Sequence, residues 1–135
     1  MALEQEGRTG RIIGAAIEVH RALGPGFLES VYENALAIEL AARGIPFATQ
    51  VSAPIQYHGS VVGTHVLDLL VEDQIVVELK AVRNLEDIHF VVLRSYLKAT
   101  GREHGLLLNF AKAALETKRV SRRSFPEGSR EVREA

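Results

Sequence analysis

The sequence predicts an α/β fold, an α+β sandwich in which helices flank a mixed sheet. Three observations carry that expectation. Two N-terminal segments place apolar residues at the 3.6-residue period of a helix. The middle of the chain, 47–82, changes to runs rich in β-branched residues. A further helical stretch is then followed by "LLLNF", a short, fully apolar run of the kind that fills the interior of a sheet. The order is α-α-β-β-β-α-β, which buries apolar faces in layers around one core.

Each element has its own signal. Residues 9–23 place Ile13, Ala16, Ile17 and His20 on one helical stripe, with Ile12, Val19 and Leu23 beside it. "GPG", 24–26, must break that helix. A second helix is expected over 27–43, with Leu28, Val31, Ala35 and Ile38 buried, ended by Gly44 and Pro46. "FATQVSAPIQYHG" reads as a first strand, irregular at Pro54, with a turn at His58, Gly59 and Ser60. "VVGTHVLDLLV" and "IVVELKAV" are the second and third strands. Residues 86–100 return to helical spacing, with Ile88, Val91, Val92 and Tyr96 on one side. After "GREHG" and "LLLNF", a last strand or helix occupies roughly 112–121. One domain is expected over 9–122, with loose termini at 1–8 and 124–135.

The totals narrow the function. Sixteen Lys and Arg against seventeen Asp and Glu leave a formal charge of −1, without the basic surplus of a nucleic-acid binder. The exception is "KRVSRRS", where Lys118, Arg119, Arg122 and Arg123 could touch phosphates. With no cysteine, disulfides and thiolate metal sites are excluded. No apolar run approaches the roughly 18 residues of a membrane span, and "MALEQEGRTG" lacks the apolar core of a signal peptide. A cytoplasmic protein without membrane contact fits these features.

The second and third strands carry the chemistry. They are joined around Glu72, Asp73 and Gln74. A two-residue turn would mix charged and apolar groups on both faces. A three-residue loop pairs Val71 with Ile75, Leu69 with Val77 and Leu67 with Leu79 on one face. The other face then holds Leu70 opposite Val76 and Asp68 opposite Glu78, with Lys80 alongside. A one-residue slip exchanges the faces, so burial selects the three-residue loop. Asp68 and Glu78 thereby become cross-strand neighbours, and like charges so placed repel. A divalent cation between them would compensate, with Lys80 placed to orient a water or stabilise developing negative charge. A partly buried ion-pair cluster of the same three residues is the alternative.

Asp68 followed by "VVELK" resembles the PD-(D/E)XK nuclease motif, whose core runs α-β-β-β-α-β. "VHRALGPGFLESVYENAL", 19–36, resembles the signature of the bacterial GxxExxY family, with Gly26, Glu29 and Tyr32 at the named positions. "HVLDLLVEDQIVVELKAV", "YLKATG", "GLLLNF" and "TKRVSR" resemble that family's later blocks in order, so the likeness spans roughly 10–122. It implies a PD-(D/E)XK, restriction-endonuclease-like fold. It implies Asp68 and Glu78 as ligands of Mg²⁺ or Mn²⁺, Lys80 as the catalytic lysine and Glu29 as a further acidic catalytic residue and ligand. Glu29 and Tyr32, three apart, share a helical face, and Glu29 lies where the helix dipole favours its ionised form.

This chain departs from the pattern at two places. A helix block resembling "H-x-x-Q-L-x-x-Y-L" reads "HFVVLRSYL" here, with Val92 at the Gln position. Val66 stands where a basic residue is frequent. Both changes make the site drier. Tyr32, His20, His89 and Tyr96 are expected around the ligands. No histidine has zinc spacing with another ligand, Gly24 and Gly26 do not form a phosphate loop, and Asn109 is expected to cap or turn. Two functions follow. One is a metal-dependent nuclease acting on nucleic acid, DNA ahead of RNA. The other is a nuclease-shaped module, catalytically weak or inactive, that binds a partner or self-associates as a homo-oligomer.

Overall fold

A computed structural model describes residues 2–123; the tail expected to be loose, 124–135, lies outside the described residues. The element order is α1 (Ala2–Leu23), α2 (Glu29–Ala42), β1 (Phe47–Tyr57), β2 (Ser60–Val71), β3 (Ile75–Lys80), α3 (Asp87–Thr100), β4 (His104–Asn109) and β5 (Glu116–Ser121). The five strands form one mixed sheet in the order β1-β2-β3-β4-β5. Neighbouring pairs are antiparallel except β3–β4, which is parallel. Parallel neighbours need a crossover, and α3 supplies it. The α+β sandwich expected from the sequence is the observed fold, and the element left open at 112–121 is a strand.

Two apolar layers hold the sandwich. On one face α1 and α2 bury Ile12, Ala15, Ala16, Val19, Tyr32, Leu36 and Leu40 against Leu69, Val71, Ile75, Val77, Leu79, Leu106 and Leu108. On the other, Leu93 and Leu97 of α3 pack on Ala53, Leu67, Val76, Leu107 and Val120. β3 and β4, covered on both sides, are apolar almost throughout, as a central parallel pair requires.

The helices exist where periodicity puts them, but their buried stripes are rotated. α2 buries Tyr32, Leu36 and Leu40, whereas Leu28 and Ile38 are 77% and 72% exposed. α3 turns Leu93 and Leu97 inward and leaves Ile88 and Val91 outside. On α1, Ile12, Ala15, Ala16, Val19 and His20 are buried and Ile17 is not. Each helix carries apolar residues on a stripe wider than its contact. Tyr32 explains the rotation of α2: its ring stacks on Phe110 at 4.5 Å, which fixes which stripe faces in. α1 also starts earlier than expected, at Ala2.

The hairpin register is the three-residue one. Val71 pairs with Ile75, Leu70 with Val76 and Leu69 with Val77, across Glu72, Asp73 and Gln74. Glu72 and Asp73 take left-handed backbone, φ 53° and 57°. Their carboxylates are held by arginines: Glu72 by Arg8 at 3.4 Å and Arg11 at 2.9 Å, Asp73 by Arg102. Leu67 departs from expectation, packing under α3 and not with Leu69. β1 makes the same change of face between Phe47 and Val51. Regular alternation would keep each of these pairs on one face. The β1–β2 hairpin therefore twists at the level of Gln50 and Asp68, and its far half wraps against α3.

Gly105 shows how closely α3 sits on the sheet. A Cβ there would stand 3.0–3.1 Å from three carbons of the fully buried Leu93. Gly105→Ala is expected to lower stability by about 1–3 kcal/mol through overpacking, read as a shift in the urea midpoint without a change in its slope.

Candidate active site

Beyond Leu69 and Val77 the backbone ladder between β2 and β3 stops. Side chains take over. The amide of Asp68 donates to Glu78 Oε1 at 3.0 Å, and the amide of Leu79 donates to Asp68 Oδ2 at 2.9 Å. The two carboxylates thus cross between strands, each satisfying an amide of the opposite one. The strands part at this level, and burial forbids leaving such amides unmade. Among the described residues, the second oxygen of each carboxylate has no protein donor. Asp68 and Glu78 meet across the strands, and Lys80 lies near enough to favour the ionised form of both without an ion pair to either acid. The close ion pair considered as the alternative does not form among these three residues, although Lys80 still pulls both acids toward their ionised forms.

The electrostatics reflect that arrangement. Burial, and then the neighbouring Asp68, push Glu78 up to about 8, against the weaker pull of the Asp68 amide and Lys80. Burial also raises Asp68, opposed by its bond from Leu79 and reinforced by Glu33 and Glu29. Both acids hold protons more tightly than ordinary carboxylates. A cation between them would reverse that preference, since a nearby positive charge favours the ionised form.

α2 delivers two more acids. Gly24 and Gly26 adopt φ 73° and 114°, values that residues with a Cβ rarely take. The Tyr32 hydroxyl donates to the Gly24 carbonyl at 2.6 Å and accepts the Phe27 amide at 3.1 Å, closing the turn. The helix consequently starts at Glu29, whose Oε2 accepts the Ala81 amide at 3.3 Å, one residue past Lys80. Gly26, Glu29 and Tyr32 are a turn, an acid and a clamp that together aim the helix start at the end of β3. Tyr32 itself is buried core, stacked on Phe110. Glu33, one turn after Glu29, also faces Asp68 closely enough to raise it; sequence reasoning did not select it, although the i, i+4 spacing from Glu29 was the available signal. Among the described residues, no group of three or more His, Asp or Glu side chains is arranged to hold a metal. Glu29 reaches the rim of the site without joining a three-carboxylate shell.

The remaining candidates divide. Tyr96 lies at the site: after burial, Glu78 and Asp68 are what raise its phenol. Its ring packs on His65 at 4.3 Å, and His65 Nε2 lies 3.2 Å from Ser95 Oγ. Because that hydroxyl donates to the Val92 carbonyl at 2.6 Å, Nε2 is the donor to it. His65 and Ser95 with Pro54, Gln56 and Lys98 line a cleft of about 510 Å³ between the hairpin and α3. His65 went unselected because only the hairpin's twist carries it to α3. His20 donates from Nε2 to the Lys112 carbonyl at 2.9 Å and tethers α1 to the β4–β5 loop. His89 accepts the Glu86 amide at Nδ1 in the capping box of α3. Asn109 is fully buried and bonds both the amide and the carbonyl of Val82, as well as Glu116, so it fixes the chain leaving β3.

The basic run is not brought to the acids as a unit. Glu116 pairs with Asn109, at the Lys80 end of the sheet, and Ser121 pairs with His104, at the other end. Arg122 and Arg123 follow that far end and bond Glu103. Arg119 donates to Thr9 on α1. Lys118 is exposed and carries no ion pair among the described residues.

Comparison with known proteins agrees with this architecture. A family description, "PD-(D/E)XK nuclease superfamily", matches residues 6–122. No curated protein matches the chain. Among solved structures, the crystal structure of SSO0001 superposes with a TM-score of 0.56 at 18% identity, over 88% of this chain and 60% of that one. An alkaline exonuclease from Laribacter hongkongensis gives a TM-score of 0.46 at 15% identity, over 83% of this chain and 69% of that one. The chain thus spans less than two thirds of the length of SSO0001.

The raised acids make stability depend on pH in a set direction. Glu78 binds its proton more tightly folded, up to about 8, than unfolded, near 4.5. Between these values the folded state holds more protons, so without divalent cations stability falls as pH rises, with Glu78 contributing at most about 1.4 kcal/mol per unit. Melting temperatures recorded in chelator from pH 4.5 to 8 should decline, and Glu78→Gln should flatten the decline.

Proposed function

The chain belongs to the PD-(D/E)XK nuclease superfamily, and we propose that it is a metal-dependent nuclease that hydrolyses phosphodiester bonds of nucleic acid, DNA ahead of RNA. The observation that carries this reading is the meeting of Asp68 and Glu78 across the parted strands, with Lys80 beside them and in no ion pair. Gly26, Glu29 and Tyr32 support the narrower assignment to the GxxExxY family.

The donor set suits a hard cation. Each carboxylate spends one oxygen on a backbone amide and keeps one. Mg²⁺ is commonly bound through one or two carboxylates, with waters and substrate phosphates completing its shell. Asp68 and Glu78 would hold Mg²⁺ or Mn²⁺. Such an ion, when bound, offsets phosphate charge and lowers the pKa of water. The chain's own residues do the rest. Lys80 places an ammonium where negative charge develops on the phosphate and orients the attacking water. Glu29 fixes the chain just past Lys80 through the Ala81 amide, which holds the lysine's backbone in place. Tyr96 stands beside the acids on the α3 side.

The cleft extends the site into a path for the substrate strand. Lys98 is exposed and has no ion pair among the described residues, and His65 links the cleft to Tyr96. Arg83, just past β3, and Lys118 are likewise exposed and without one. These residues are better placed to hold a phosphate backbone than Arg122 and Arg123, whose charges are spent on Glu103.

A second reading, a self-associating module of low activity, draws on the hairpin end, where Tyr57, Val61 and Val62 are 60–66% exposed. Mutants separate the two. Lys80→Ala and Asp68→Ala are expected to abolish Mn²⁺-dependent nicking of plasmid DNA while circular dichroism stays unchanged. Titration calorimetry should find Mn²⁺ binding that Asp68→Ala removes. If wild type neither binds Mn²⁺ in the millimolar range nor cuts any DNA or RNA form, the module reading replaces the nuclease. Lys98→Ala is expected to reduce the salt dependence of DNA binding by about one unit of slope, measured by fluorescence anisotropy.

A further inference from the structure

Gln50 is the residue of β1 that stands at the level of Asp68, between the pairs Thr49–Leu69 and Val51–Leu67, and the ladder skips it. Its φ is 51°, in the left-handed region that residues other than Gly, Asn and Asp seldom occupy. No turn requires this, since β1 continues on both sides with the same register. Something must hold a glutamine there. Its amide donates from Nε2 to Glu33 Oε2 at 2.8 Å, tying the kink to α2.

The consequences of the kink lie on both strands. Before it, Phe47 and, on β2, Leu69 and Val71 pack toward α1 and α2. After it, Val51, Ala53 and, on β2, Leu67 pack toward α3. Asp68 is the β2 residue at which the face changes. At that same residue the β2–β3 ladder ends and the amide of Asp68 turns to Glu78. Turn of the hairpin, loss of the ladder and crossing of the carboxylates coincide at one level of the sheet.

We infer that Gln50 is a positioning residue for the acidic pair: its left-handed backbone, anchored by Glu33, twists the β1–β2 hairpin and thereby sets the direction of Asp68. This deepens the nuclease reading, on which its catalytic meaning rests. The geometric part stands independently, because it concerns hydrogen bonds present without any cation. Glu33, which also raises Asp68, is the anchor of the kink. Neither residue touches the reacting atoms.

Three variants test it. Gln50→Val puts a β-branched residue where left-handed backbone is strongly disfavoured. Gln50→Gly keeps that backbone accessible and removes only the anchor. Glu33→Ala removes the anchor from the other side and serves as the second probe should Gln50→Val not fold. Amide hydrogen exchange by NMR reads the bonds of Asp68 and Leu79 directly, and calorimetry reads Mn²⁺ affinity. Gln50→Val is expected to speed exchange at both amides by about 10-fold or more, roughly the cost of one disfavoured backbone state. Affinity for Mn²⁺ should fall in parallel, while amides of β4 keep their protection. Gln50→Gly should give smaller losses in both readouts, and Glu33→Ala, which also removes a charge beside Asp68, a smaller gain in exchange rate, read by exchange alone. Unchanged exchange at Asp68 and Leu79 in Gln50→Val, or equal losses in the valine and glycine variants, would overturn the proposal. A wild type that binds no Mn²⁺ would end the nuclease reading alone, since the exchange measurement still decides the role of Gln50.

Discussion

Two backbone amides, those of Asp68 and Leu79, lie just past the three ladder pairs that join β2 and β3, and they donate to side chains. Buried amides demand acceptors, and the acceptors here are the carboxylates of the opposite strands. The rest of the site follows from that substitution. The acids must sit inside the fold to reach the amides, so they are desolvated and hold protons more tightly. They must face each other, so their charges conflict. Fold and chemistry share one set of bonds, and the opening that disrupts the sheet is also what concentrates negative charge.

The surrounding elements are arranged to keep this opening fixed. α2 begins where it does because Tyr32 closes the Gly24–Gly26 turn. Asn109 holds the chain that leaves Lys80 by both polar groups of Val82. The α3 cap at Glu86 and His89 sets the next helix. Each uses a buried or capping polar group with its partners satisfied, an arrangement that favours a single geometry over a mobile one.

The sequence disclosed the strands more fully than the helices, for a physical reason. In "VVGTHVLDLLVEDQIVVELKAV" the period is two, and a slip of one residue would bury charge, so only one register survives. That reasoning predicts the observed pairing of Leu69, Leu70 and Val71 with Val77, Val76 and Ile75. Helical stripes are looser. Apolar residues such as Ile38 and Val91 lie outside, because a helix tolerates rotation until a specific contact, here Tyr32 on Phe110, stops it. What could not be read was anything that depends on the hairpin's twist. His65, Gln50 and Leu67 owe their surroundings to a left-handed residue inside a strand, and glutamine gives no local sign of such a state. The basic run divides for a related reason, since the direction of β5 carries Arg122 and Arg123 to the end of the sheet away from Lys80.

The ion pairs of this protein bear on how its charge should be counted. Arg8, Arg11, Arg102, Arg122 and Arg123 are committed to Glu72, Asp73 and Glu103, around the ends of strands remote from Lys80. Lys80, Arg83, Lys98 and Lys118 have no such commitment among the described residues. A whole-chain total near zero therefore averages unlike cations, some neutralised by a neighbouring carboxylate and some without one among the described residues. The sum of a chain's charges does not say which of its cations a neighbouring carboxylate has already neutralised.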